Sequence, residues 1–480
     1  MTEAHPQRWA ALPVILVATF MGLFDVFVVN VAAPSIQRDI HATSSDLQLV
    51  VGGYSFSYAA LLVTGGRLGD RFSYRRVYLG GMALFTVASL ACGLAQTPIE
   101  LIVARFVQGC GAALMVPQVL ALITVLFPPA ERHRAFAWFG VTIGLGAIAG
   151  QVLGGALVQV NLFGWSWRTI FFVNVPIGIV TVALGGRLLP RNRSTAAPQL
   201  DPLGVVGVTG ALALALIPLT LGRTEGWPWW LVAPLCVSPF AFLLAARYER
   251  ALERRGGQPV LDLALFGVRS FAAGFAVTIG VFVYFGSILL GLTLFLQLGL
   301  GLSALDAGLS FAPLGVSFAA ASLLGRPLIA RYGPRVATAG LVVAAAGLVG
   351  LLLDIHFSGA ASDPQRLWPL FFVIGIGNGL VIPPLIGVSL VEVRPAKAGA
   401  AAGMLATGQQ FAIAAGIAVL SEIFFGILGG RPTEHSYIHA IQWVLVLDAA
   451  VLVPCFVASL LLPRPARPAA PAAAPALEAG

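Results

Sequence analysis

Charge is scarce in this sequence. Only 10% of its 480 residues are Asp, Glu, Lys or Arg, whereas 58% are hydrophobic and mean hydropathy is +0.91. A soluble domain carries about 25% charged residues, so the deficit is too deep to reflect a large soluble core. Length alone would suggest about three soluble domains. Apolar runs longer than about 18 residues recur along the whole chain instead, the mark of a polytopic α-helical membrane protein.

Cysteine and histidine are scarce as well. Cys92, Cys110, Cys236 and Cys455 all fall inside apolar runs, at spacings that suit neither a disulfide framework nor a metal site. They read as small packing residues. His5, His41, His133, His356, His435 and His439 lie at termini, in loops or at helix ends. The sequence therefore offers no constellation for a membrane enzyme, and neither a metal nor a cofactor is expected. No segment resembles a channel's filter loop. The first apolar run, beginning near Trp9, is too long for a signal-peptide core and is followed by no convincing cleavage site, so it reads as an anchor.

The charge that is present is placed systematically. A net charge of +8 could suit nucleic acid, but the arginines cluster in short segments between apolar runs. These are Arg67, Arg71, Arg75 and Arg76; Arg132 and Arg134; Arg187, Arg191 and Arg193; Arg247, Arg250, Arg254 and Arg255; and Arg326, Arg331 and Arg335. They mark alternate loops, as the positive-inside bias requires. Nucleic acid is excluded as a partner. The expected setting is the lipid bilayer of the cell (plasma or inner) membrane, with both termini in the cytoplasm.

Apolar runs of helical length predict fourteen membrane helices, near residues 9–33, 46–68, 77–96, 99–126, 135–158, 169–189, 202–222, 230–248, 270–298, 305–330, 336–357, 367–391, 399–430 and 437–462. The tail 463–480, rich in Pro and Ala, is expected to be disordered. The chain also repeats. Gly109 to Pro117 and Gly375 to Pro383 share the pattern G-x-G-x-x-L-x-x-P, and Arg71-Phe72-Ser73-Tyr74-Arg75 is matched by Arg331-Tyr332-Gly333-Pro334-Arg335. The expected all-α fold thus has two related six-helix bundles, 9–189 and 270–462. A linker, 190–269, carries two extra helices, and residues 1–8 form a cytoplasmic N-terminus. Duplicated halves flanking a central site are common in secondary transporters.

Two charges break the loop pattern. Asp25 lies inside the first helix and Arg105 inside the fourth, each about 9–12 Å deep from the outer end at the helical rise. An intramembrane acid is costly and by default functional. Ala18, Gly22 and Ala32 share roughly its face, which points it at a neighbouring helix. Pairing Asp25 with Arg105 would offset both desolvation penalties. Such a pair is either a static ion pair or a proton switch, because burial and the arginine act on the carboxyl in opposite senses. Glu422 and Asp448, in the last two helices, are further candidates for proton coupling. Gly146, Gly150, Gly154 and Gly155 form a close-packing stripe. Phe20, Phe24, Asn30, Tyr54, Tyr58, Gln108, Phe311, Asn378, Gln409 and Gln410 are candidates to line a substrate cavity.

The segment Gly66-Arg67-Leu68-Gly69-Asp70-Arg71-Phe72-Ser73-Tyr74-Arg75-Arg76 resembles the loop signature of the major facilitator superfamily. Arg105-Phe106-Val107-Gln108-Gly109-Cys110-Gly111 resembles that family's fourth-helix segment. The stretch Asp25 to Pro34 and the run Trp167 to Gly178 are similar to its fourteen-helix drug/proton antiporter branch. The resemblance implies proton-driven efflux of a small, amphipathic compound by alternating access, carried out by a monomer. It also implies a conformational latch built from Gly66, Asp70, Arg71, Arg75 and Arg76, a protonation role for Asp25, and Arg105 as its partner. An importer, or a carrier of an endogenous metabolite or lipid, is the alternative within transport. Three departures stand out. Ser73 and Tyr74 replace the loop's glycine and basic residue, which predicts an altered turn. Gln151 replaces the proline of the antiporter glycine motif. Ala330 stands in the second half where the first has Asp70.

Overall fold

The computed structural model describes residues 6–161, 164–190, 201–222, 225–257, 259, 261–358, 364–394, 397–429 and 432–463. The tail from 464 and the loop 191–200 lie outside them. The described chain is all-helical: α1 (Arg8–Asp39), α2 (Ser44–Phe72), α3 (Tyr74–Leu94), α4 (Pro98–Leu126), α5 (Pro129–Val160), α6 (Thr169–Phe172), α7 (Asn174–Leu188), α8 (Pro202–Leu221), α9 (Trp229–Arg254), α10 (Arg269–Leu294), α11 (Ala304–Ser310), α12 (Ala312–Tyr332), α13 (Arg335–Ser358), α14 (Pro364–Ser389), α15 (Ala398–Leu428) and α16 (Glu434–Leu460).

Local signals set several starts. Thr43 and Asp46 form a reciprocal capping box at α2, and Thr433 with Ser436 does so at α16. Thr97 caps α4 with Pro98 in its first turn, and Asp201 caps α8 through Gly204 N at 2.9 Å. α1 runs through Pro34 to Asp39, beyond the predicted end at 33. Arg38 Nε donates to the Pro34 carbonyl at 3.2 Å in that extension.

Twelve helices among the described residues are long and apolar enough to cross a membrane. Large apolar side chains face outward along these helices, including Val87 (65% exposed), Ile99 (71%) and Phe240 (67%). Water would penalise such a surface, but hydrocarbon does not.

In the first part of the chain α4 packs on α2 and α3, and α1 packs on α5. Later, α14 packs on α12 and α13, and α10 on α15 and α16. Two glycine settings recur between these sets. A Cβ on Gly109 would meet Ser57 Oγ at 2.1 Å and the Tyr54 carbonyl at 2.4 Å. On Gly375 it would meet Ser317 Oγ at 2.0 Å and the Leu314 carbonyl at 2.2 Å. The helix pairs α2–α4 and α12–α14 are thus held equally close by the same device.

The two sets meet at a seam. Phe56 of α2 lies edge-on to Phe411 of α15, with centroids 5.7 Å apart. On the far side, a Cβ on Gly155 of α5 would sit 2.4 Å from the Ala304 carbonyl, and one on Gly308 of α11 would sit 2.6 Å from the Gln151 carbonyl. Gln297 Nε2 donates to the Val31 carbonyl at 2.8 Å, and Gln159 Oε1 accepts from Leu305 N at 3.4 Å.

Candidate functional site

The two intramembrane charges meet in the first set of helices. Asp25, Arg105 and Gln108 are each at most 1% exposed. Arg105 forms an ion pair with Asp25 Oδ2 through Nη1, which also donates to Gln108 Oε1 at 2.7 Å. Gln108 Nε2 donates to Asp25 Oδ1 at 2.7 Å, so both carboxylate oxygens are held. Arg105 Nε reaches the Val50 carbonyl at 2.9 Å, and the guanidinium carbon lies 4.6 Å from the centre of the Tyr54 ring. These contacts combine charge-assisted hydrogen bonds with a cation–π contact, which is how a buried pair recovers its desolvation penalty.

A polar annex extends the cluster. Gln108 Nε2 also reaches Ser89 Oγ at 3.2 Å; Asn174 Nδ2 donates to Ser89 Oγ at 3.0 Å; and Ser89 donates to the Phe171 carbonyl at 3.0 Å. Six helices, α1, α2, α3, α4, α6 and α7, thereby converge on one charge pair. Ser89, Asn174 and the Val50 carbonyl were not anticipated. Asn174 lies inside the conspicuous run Trp167 to Gly178, so one of the three left a trace. Gln108→Leu should lower thermal stability by about 1–3 kcal/mol by stranding buried donors and acceptors. A denaturation midpoint in detergent measures this; an unchanged midpoint would rule out the shared network.

At the end of the bundle that carries the arginine-rich loop, α2 passes into α3 through the single residue Ser73. Its φ of 126° lies in the region that favours glycine. A buried serine thus occupies a backbone region that favours glycine and carries the strain. Ser73→Gly should therefore stabilise the protein by about 1–3 kcal/mol, read as a raised melting temperature; a lowered one would contradict the strain argument. Arg75 donates to the Gly186 carbonyl and Arg67 to the Pro259 carbonyl. Arg71 lies over the Phe72 ring, and Arg76 is exposed. Gly66 lies near Pro117. Asp70 is within α2, but its side chain is outside the described residues.

Residues 15–417 match the sequence profile of the Major Facilitator Superfamily. The chain belongs to the major facilitator superfamily. It is 39% identical over 430 residues to a probable actinorhodin transporter of Streptomyces coelicolor, covering 89% of this chain and 74% of that one. It is 33% identical to the cephamycin export protein CmcT of Amycolatopsis lactamdurans, covering 94% and 93%. It is 32% identical to the tetracenomycin C resistance and export protein of Streptomyces glaucescens, covering 88% and 77%. A solved bacterial homologue of the human lysosomal transporter Spinster, in an inward-facing and occupied conformation, shares the fold with a TM-score of 0.69 at 15% identity, covering 96% of this chain and 97% of that one. Membership places the protein among transporters rather than enzymes.

In this superfamily member the proposed cavity residues do not form one site. Tyr54 and Gln108 belong to the charge cluster. Tyr58, Phe24 and Phe311 are packed in the core; Phe311 stacks on Phe371 with centroids 5.6 Å apart. Asn378 is buried and bonded to Tyr284 at 3.1 Å. Phe20, Gln409 and Gln410 are half-buried, and Asn30 is buried with Oδ1 unpartnered. Glu422 is half-buried and Asp448 buried, both on the later helices and far in sequence from the cluster.

The glycine stripe divides its work. Gly146, Gly150 and Gly154 fit against Phe20, Leu23, Phe24, Phe27 and Val28 of α1, whereas Gly155 faces α11 across the seam. Gln151 is 5% exposed, and neither atom of its amide has a partner among the described residues.

Proposed function

We propose that this protein is a proton-coupled exporter of small amphipathic compounds, antibiotics and drugs among them, that works by alternating access. The observation that carries the reading is the buried Asp25–Arg105–Gln108 cluster: an acid and a base removed from water in one half of the molecule. The names of the export and resistance proteins at 32–39% identity support the direction and the substrate class.

In this reading α2 and α5 also cross, giving fourteen spans with both termini cytoplasmic in the cell membrane. The monomer comprises two six-helix bundles, and α8 and α9 are the inserted pair. The repeated glycine settings at Gly109 and Gly375 favour the duplication. Closure of the seam from Gln151 to Leu305, opposite the arginine-rich loop, favours an inward-facing state. Asp25 is charged in this state, with both oxygens accepting hydrogen bonds. Protonation breaks the pair, α1 shifts against α5 along the Gly146–Gly154 stripe, and Gly155 leaves α11. Arg71, Arg75 and Arg76, with Asp70 and Gly66, form the latch that holds the cytoplasmic ends. Asp448, whose Oδ2 is unpartnered, and Glu422 are secondary proton sites. Phe20, Asn30, Gln151, Gln409 and Gln410 contact the substrate as the halves part.

Inverted vesicles test this directly. An acid-inside gradient should drive accumulation of an amphipathic antibiotic, and nigericin should abolish it. Accumulation indifferent to the gradient, or transport only in the opposite direction, would overturn the reading.

A further inference from the structure

Where α9 ends, a cleft of about 530 Å³ opens between the helix and the strap that returns to α10, lined by Arg250, Glu253, Arg254, Leu263, Ala264 and Gly267. Arg250 and Arg254 are exposed and one turn apart on α9, and neither makes an ion pair among the described residues. Like charges at this spacing repel weakly, and an anion between them would relieve that repulsion. Glu253 does not supply it, since its Oε1 is engaged by Lys397 Nζ at 3.1 Å. The strap wall is apolar, and at Gly267 a Cβ would meet nothing within 4 Å, so the wall leaves room for a ligand.

We infer that this cleft binds the phosphate of an anionic phospholipid. The choice of a lipid over a free anion rests on the helix itself. The same α9 presents Phe240, Leu243 and Leu244 outward, 67%, 48% and 64% exposed, ahead of the cleft arginines Arg250 and Arg254. Acyl chains have an apolar face to lie along, and arginines follow at headgroup level.

The placement gives such a lipid a purchase on the moving parts. The strap is tied to the first half by Arg67 at the Pro259 carbonyl, and to the second by Lys397 at Asp262 Oδ2, 2.6 Å away. Asp262 holds the Lys397 ammonium above its ordinary pKa. Leu265 anchors the strap among Phe271, Met404 and Leu405. A headgroup in the cleft braces a segment that both halves share.

The test is lipid retention by the full-length, resting protein in native mass spectrometry, with phosphatidylglycerol and phosphatidylcholine as the probes. No gradient is applied, so failure of the export mechanism would leave this result unaffected. Wild type should retain phosphatidylglycerol preferentially, and R250Q/R254Q should lose about tenfold of that preference. Millimolar inorganic phosphate should not displace the lipid. Equal retention of both lipids, retention unchanged in the double variant, or displacement by inorganic phosphate would each overturn the assignment. R247Q, outside the cleft lining, should retain the preference; its loss there too would reduce the site to a diffuse basic patch and overturn it equally.

Discussion

Asp25→Asn is expected to end gradient-driven export and to lower stability at the same time. The two losses have separable causes. Asn keeps the shape of the side chain but removes its charge, so Arg105 is left buried at 1% exposure without a counter-ion. Breaking a buried pair from one side typically costs about 3–5 kcal/mol. Adding Arg105→Gln removes the stranded charge, and the D25N/R105Q double variant should recover most of that stability. It should not recover transport, because a neutral cluster has no proton to exchange. If the double variant both folds and exports against a gradient, the pair is structural scaffolding, and proton coupling lies elsewhere, with Asp448 the first place to look. If D25N alone melts like wild type, the ion pair is not formed as described.

Gly155→Val should abolish transport while leaving each half folded. Its Cβ would sit 2.4 Å from the Ala304 carbonyl and 2.9 Å from Leu305 Cα, contacts with backbone that no rotamer change can relieve. Gly155 faces α11 across the seam, so the added bulk pushes the halves apart at that end rather than disrupting one bundle. The expected result is a fall in export of about tenfold or more. A cysteine introduced at Gln159 should also become more reactive toward a membrane-impermeant maleimide added from outside. Gly80→Val is the control, since nothing lies within 4 Å of a Cβ there. Unchanged export and unchanged labelling in G155V would show that closure of this seam is not part of the cycle.

Much of this architecture was legible because membranes impose a coarse code. Apolar runs located the helices, with ends up to six residues off as at Asp39, Pro129 and Arg254, and Asp25 and Arg105 drew attention because each is expensive in hydrocarbon. Their partners were harder to see. Ser89 has no cost that marks it in sequence, and the Val50 carbonyl has no side-chain signature at all. Helix ends also escaped where polar contacts extend them, as beyond Pro34, where Arg38 bonds back to its carbonyl. Hydropathy does not say whether Tyr58 or Phe311 faces a partner helix or a substrate, since both surroundings are apolar. Ser73 shows a different limit: the sequence reports a serine where glycine is usual, but not whether the backbone or the residue yields.

If proton movement through the Asp25 cluster drives export, proton flux and substrate uptake must run together. Proteoliposomes carrying an internal pH dye are loaded acid-inside and given substrate. Wild type should answer with substrate-dependent internal alkalinisation, stoichiometric with uptake, and D25N/R105Q should give none. Substrate uptake without any proton movement in wild type, or wild-type proton movement in the double variant, would contradict it.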